Sequence, residues 1–218
     1  MRHSLNPLVA KNFAARLFSK PLSQRMRNMI TNPIESWQRL RQVWFECVHP
    51  ELPLLVPKVI DHLKTNLPPD AVGFEWGSGA STLWFAGRCK HLVSIEDDNE
   101  WYSFTNQKLR EGNIHNVEYR HIELDSITPS RAAKAEHQPY VIAIDDFEDG
   151  HFDFCLVDGH YREACILAAL PKIRSGGMLI VDDTHWLAIE DWGVPPYWKL
   201  SVRFRWGLKE TCVWKKPE

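Results

Sequence analysis

A doubly wound, mostly parallel α/β sheet ending in an antiparallel β-hairpin is the fold class this chain predicts, and three observations predict it. Apolar strand-like runs alternate with amphipathic segments of helical period through residues 71–183. The first of these runs collapses into glycine and serine in "VGFEWGSGAST" before a helix begins. Finally, "YWKLSVRFRWGLKETCVWKK", residues 197–216, alternates apolar and polar positions around Gly207, as two antiparallel strands joined by a tight turn do.

The elements follow in order. "IESWQRLRQVWFECV" spaces Ile34, Trp37, Leu40, Val43 and Trp44 at helical intervals, and "LLVPKVIDHLKTNL" adds a second amphipathic segment that stops before "PPD". After them come strand "AVGFEW", helix "STLWFAGRC", strand "HLVSIE", helix "NEWYSFTNQKLREG" and strand "NVEYRHI". A loop-rich stretch, 124–150, leads to strand "FDFCLVD", helix "REACILAALPKI" and strand "GMLIVDD". Strands that alternate with helices pair in parallel and are covered on both faces. No repeat or low-complexity tract competes with this reading.

Composition bounds the function. A chain of 218 residues, 44% hydrophobic, is long enough for one domain with a substantial core and a small appendage. A net charge of −2 argues against a nucleic-acid partner, because neutralising phosphates takes many clustered Lys and Arg residues. Cys47, Cys89, Cys155, Cys165 and Cys212 are scattered and contain no CxxC pair, which fits a reducing, cytoplasmic compartment. No apolar run approaches the roughly 18 residues that span a bilayer, so no transmembrane segment is expected.

The N-terminal stretch 1–34 carries Arg2, Lys11, Arg16, Lys20, Arg25 and Arg27 without one Asp or Glu. A transit peptide or a membrane-surface helix has this composition. So does a helical cap over a larger domain, built from short amphipathic pieces such as "NFAARLF" and "MRNMI". We read it as the cap: residues 1–50 form an N-terminal helical extension and 51–218 the main domain.

In a doubly wound sheet, ligands sit beyond the carboxyl ends of the strands. That directs attention to Glu75, Gly77, Ser78 and Gly79 at the end of the first strand, and to Ser81 and Thr82 in the following helix start. Gly77 and Gly79 remove side chains where a ligand approaches the backbone. A dinucleotide site calls for GxGxxG; here Thr82 holds the third glycine position, and the acid two residues before Gly77 repels phosphate. The favoured ligand is adenosine-like and cationic, or at least without phosphate.

These residues resemble the class I S-adenosylmethionine-dependent methyltransferases. Their first motif, an acid followed by GxG, is matched by Glu75, Gly77 and Gly79, and their second, an acid ending strand two, by Glu96 in "VSIEDD". Positions 75 and 96 are separated by one βαβ step. The likeness extends through "FDFCLVDGHYREACILAALPKIRSGGMLIVDD" and covers residues 52–214; Ser81 departs from it where many relatives have a third glycine. The resemblance implies a Rossmann-like methyltransferase fold and S-adenosylmethionine as cofactor, held by the first-strand turn with Ser81, Thr82, Glu96 and Asp97, with Glu96 on the ribose hydroxyls.

Methyl transfer is an in-line displacement for which the protein mainly aligns the reactants and excludes water. An acceptor hydroxyl also needs help losing a proton, from a base or a metal. Asp158, Asp182 and Asp183 stand at strand ends, a donor set suited to Mg²⁺ or Ca²⁺. "VDDTHW" is similar to the strand-five end of the metal-dependent catechol and caffeoyl-coenzyme A O-methyltransferases, although Tyr161 stands where the catechol pattern has lysine. The alternative leaves Asp158 orienting cofactor or substrate and the Asp182–Asp183 pair making loop hydrogen bonds. His160 and His185 follow the same strand ends as candidate bases. Trp186, Trp192 and Trp198 are candidates for an acceptor pocket, with burial in the core the commoner fate of tryptophan.

The expected activity is O-methylation of a small-molecule or sugar-like acceptor, with a homo-oligomer left open. A non-catalytic adenosine-binding scaffold and a nicotinamide-dependent oxidoreductase are the alternatives. The convergent acids weigh against the first, the missing GxGxxG against the second.

Overall fold

Seven strands form one sheet in the order β3-β2-β1-β4-β5-β7-β6. The computed structural model describes residues 31–125 and 135–218. Most of the predicted 1–50 extension lies outside the described residues, including "NFAARLF", "MRNMI" and the six N-terminal cations, as does the 126–134 portion of the loop-rich stretch.

Two helices, α1 (Pro33–Val48) and α2 (Pro57–Asn66), precede the sheet, and a proline within the first two positions starts each. Then come β1 (Val72–Trp76), α3 (Ala80–Ala86), β2 (His91–Glu96), α4 (Asn99–Glu111) and β3 (Val117–His121). After a short helix α5 (Pro139–Ile142) the chain continues with β4 (Phe152–Val157), α6 (Arg162–Lys172) and β5 (Ile173–Val181). The hairpin β6 (Lys199–Trp206) and β7 (Lys209–Lys215) ends the sheet.

The strands β3 to β5 pair in parallel, and β7 closes antiparallel onto β5 and β6. The expected fold class is the one observed. Because both faces of the parallel strands are covered, neighbouring residues of one strand enter different cores. Cys155 and Val157 join Phe74, Trp76 and α6 on one face; Phe154 and Leu156 join Leu92, Ile180, α2 and α3 on the other.

Two departures from the predicted elements have local causes. Strand β5 begins at Ile173, before the expected "GMLIVDD", because Ile173 still pairs with Phe152 and the register shift before Phe154↔Met178 is taken up on β5 by the glycine-containing stretch 174–177, which looks like a turn in sequence. Within the loop-rich stretch, α5 and the 3₁₀ turn Ala143–Asp146 bury Tyr140, Val141 and Ile144 in the core. An element this short has no helical period visible in sequence.

Gly73 is paired with Phe154, whose ring stacks on Phe85 at 4.6 Å between centroids. A Cβ on Gly73 would stand 2.0 Å from the Phe154 ring. Gly73→Ala is therefore expected to destabilise the protein by about 1–3 kcal/mol, the usual cost of overpacking a filled core, measured by urea denaturation. Wild-type stability in this variant would mean that the Phe154 ring moves freely.

Candidate functional site

Between β1 and β4 the strand order reverses, and at such a switch the loops leaving the two strands part to open a crevice. A cavity of about 590 Å³ lies there, a size suited to a small ligand or cofactor. Gly77, Ser78, Glu96, Asp97, Trp101, Asp158, His160, Arg162 and Trp186 are among its walls.

The floor is backbone against backbone. Gly77 has φ +86°, and a Cβ there would come within 2.9 Å of the main chain of Asp158 and Gly159. Only glycine allows the loops after β1 and β4 to meet this closely. Gly79 differs: a Cβ would meet nothing nearer than Trp101 at 3.8 Å, but its φ of +145° excludes other residues.

Glu75 lies beneath this turn rather than on the cavity wall. It is fully buried, and its Oε1 accepts hydrogen bonds from Ser94 Oγ (2.7 Å) and Thr82 Oγ1. Thr82 Oγ1 in turn accepts from the Gly79 N–H at 3.0 Å. Burial pushes the Glu75 carboxyl up to about 7, against the pull of those hydroxyls, and its Oε2 has no partner. Ser81 and Thr82 are buried with it.

Glu96 does face the cavity. Its Oε2 accepts from Ser78 N (2.8 Å) and Ser78 Oγ (2.5 Å), while Oε1 accepts from the N–H groups of Asp97 and Asp98. Tyr119 Oη lies 2.6 Å from Ser78 Oγ. Burial raises the Glu96 carboxyl above its ordinary range, while these donors hold the charged form.

Across the cavity, His160 Nδ1 stands 3.0 Å from an Asp97 carboxylate oxygen. That hydrogen bond raises the histidine above its ordinary value. It also places the proton on Nδ1, leaving Nε2 as the basic nitrogen.

The three strand-end acids do converge: Asp158, Asp182 and Asp183 bring one oxygen each within 4.8 Å of one another. Their partners, however, are cations of the chain itself. Asp182, wholly buried, takes Lys209 Nζ at 2.8 Å and Thr211 Oγ1 at 2.5 Å. Arg162 reaches Asp158 at 3.2 Å and Asp183 at 3.6 Å, and donates to the main-chain oxygens of Asp158, Gly159 and Asp182. Burial and the Asp182 charge push Asp158 upward; Lys209 and Arg162 pull it back. A divalent cation here would compete with a buried ammonium for the same oxygens, so the donor set does not fit the expected Mg²⁺ or Ca²⁺.

No protein-family model matches the chain, and neither does any curated protein. Solved structures do. A methyltransferase-like protein from Silicibacter pomeroyi matches 77% of this chain and 90% of its own, at 22% identity and a TM-score of 0.54. A putative methyltransferase from Escherichia coli matches 74% and 85%, at 16% and 0.55. The fold is that of the class I methyltransferases. An rRNA methylase from Streptococcus thermophilus shares it too, over 72% of this chain and 94% of its own, at 14% identity and a TM-score of 0.51. The expected absence of a nucleic-acid partner therefore gains nothing from these likenesses. Among the described residues no helix is long and apolar enough to cross a membrane.

Within this methyltransferase fold, Gly77, Ser78, Glu96, Asp97, Asp158 and His160 line one cavity, whereas Glu75, Gly79, Ser81, Thr82, Asp182, Asp183 and His185 are not among its walls. Of the three candidate tryptophans, Trp186 and Trp192 line it and Trp198 belongs to the core. Sequence reasoning missed Trp101, Tyr119, Arg162 and Lys209. Arg162 carried a signal, since it stands four residues beyond the candidate strand-end acid Asp158.

A divalent-ion site filled a hundredfold above its Kd would add about 2.7 kcal/mol of stability. Thermal unfolding in millimolar Mg²⁺ or Ca²⁺, compared with chelator, is expected to register no such shift. A stabilisation that Asp182→Asn abolishes would restore the metal.

Proposed function

We propose that the protein transfers a methyl group from S-adenosylmethionine to a hydroxyl oxygen of a small, neutral or cationic acceptor, such as a sugar-like molecule. One observation carries the reading: the side-chain-free bend at Gly77, with the Glu96 carboxylate at its edge, opens on the same cavity as the His160–Asp97 pair.

The residues suit the cofactor. When bound, S-adenosylmethionine supplies a methyl carbon already activated by its sulfonium. Glu96 offers a carboxylate whose remaining lone pairs accept from ribose hydroxyls. Glu75 acts through the turn, keeping Gly79 in place by way of Thr82. Trp101 adds an apolar face beside the glycines.

His160 takes the acceptor's hydroxyl proton, and Asp97 fixes its tautomer and stabilises the imidazolium that forms. Glu96, Asp97, Asp98, Asp158 and Glu163 line the cavity against Arg162 and His160, and Arg162 is already committed to three aspartates. Such walls repel phosphate, which favours an uncharged or cationic acceptor over RNA or a phosphorylated one.

Calorimetric titration with S-adenosylmethionine and S-adenosylhomocysteine tests the reading, followed by a screen for methyl incorporation into metabolites. Both nucleosides are expected to bind, and Glu96→Ala to weaken binding about 10- to 100-fold, the loss of hydrogen bonds to a charged acceptor. Stabilisation by NADH without any response to the methyl donor would overturn it.

The base is testable by pH. A histidine whose pKa is raised loses its proton only above the usual 6.5, so kcat/KM is expected to rise with pH through a midpoint above that value. Asp97→Asn should bring the midpoint down. His160→Gln should flatten the profile and lower kcat by about 10²- to 10⁴-fold, and unchanged turnover would remove His160 from the chemistry.

A further inference from the structure

Five tryptophans of this chain, Trp76, Trp84, Trp192, Trp198 and Trp214, are at most 5% exposed, whereas Trp37 and Trp44 on α1 are 67% and 64% exposed. Ile34, Leu40 and Val48 share that exposure, and α1 buries no residue at all. At 100° per residue, Trp37, Leu40, Trp44 and Val48 fall on one stripe. Glu35, Arg39, Gln42 and Glu46 fall on the opposite side.

The stripe is not the surface by which α1 attaches to the domain. That attachment uses Phe45, whose ring lies 5.3 Å from Trp206, Arg41, which covers the same indole, and Gln38 beside Gly207. Phe45 and Gln38 lie about a quarter turn or more from the centre of the stripe, and Arg41 borders it. The helix is therefore held on the β6–β7 hairpin with its tryptophans turned elsewhere.

We propose that α1 is a membrane-surface anchor that lays the Trp37–Trp44 stripe into the headgroup layer of an anionic lipid bilayer. Tryptophan is suited to that layer, having an apolar body and a polar N–H. At 16 residues α1 is shorter than a spanning helix and carries charges on its far side, so it lies on the surface rather than crossing. Charge complementarity selects the lipid: the stretch 1–34 holds six Lys and Arg and no acid, immediately before the stripe begins. A basic segment next to an amphipathic helix is drawn to anionic headgroups.

The test uses the full chain in co-sedimentation with vesicles of phosphatidylcholine alone and of equimolar phosphatidylglycerol and phosphatidylcholine. Binding to the mixed vesicles is expected to exceed that to the neutral ones by about tenfold or more, and to fall as salt rises. Brominated acyl chains should quench part of the wild-type tryptophan fluorescence. The double variant Trp37→Ser/Trp44→Ser should lose about tenfold or more of the binding, with circular dichroism, Tm and S-adenosylhomocysteine affinity unchanged. That last readout keeps this inference separate from the methyltransferase reading, on which it does not depend. No sedimentation with anionic vesicles, or equal sedimentation of the double variant, would overturn it. So would a concentration-dependent dimer that the double variant loses, because a second copy would then cover the stripe.

Discussion

Glu75 places a carboxylate where no water reaches it, and the turn above depends on how that group is satisfied. Two hydroxyls from different elements, Ser94 on β2 and Thr82 on α3, converge on one of its oxygens, and Thr82 hands the constraint on to the Gly79 amide. The backbone of the turn is thus tied to the interior of the sheet. Burial raises the carboxyl to about 7, so the fold resists its ionisation. The sign follows: this group weighs least on stability below its ordinary value of 4.5, and stability declines as pH rises from there towards 7. The first acid of the motif is therefore part of the architecture of the turn, while the second, Glu96, faces what the turn encloses.

A parallel balance governs the other end of the site. Three carboxylates at the ends of β4 and β5 would repel one another if left alone, and two cations from distant parts of the chain prevent it. Lys209 comes from the start of β7 and also donates to the main-chain oxygen of Leu54, ahead of α2. Arg162, at the start of α6, binds main-chain oxygens of both strand ends. It also lies under the Trp186 ring at 4.8 Å. Charge neutralisation, strand-end alignment and the placement of an aromatic wall are in this way one network.

What could be read from the sequence was what repeats or what is contiguous. The strands and helices announced themselves by period, and the turn at Gly77 by composition, because each signal lies within a short run of neighbouring positions. The partners of the site residues did not. Asp97 and His160 are distant in sequence and meet only because β1 brings the ends of β2 and β4 together. Lys209 looked like an ordinary polar position of a hairpin, and nothing local distinguishes a lysine that reaches a buried aspartate from one in water. The acids at 158, 182 and 183 were visible as a metal-like set for the same reason: a sequence shows the ligands of a cluster before it shows the counter-charges.

The contact between Gly77 and the main chain at Asp158 and Gly159 makes the two sides of the crevice unlike. Two backbones pressed together without side chains have nothing to swing aside, so the bottom of the crevice is a rigid wall. Elsewhere on the cavity wall, Trp186 is 42% exposed and lies against a guanidinium rather than a packed core. Whatever binds in the crevice therefore meets a fixed backbone on one side and, on another, an indole supported by a guanidinium rather than by the packed sheet.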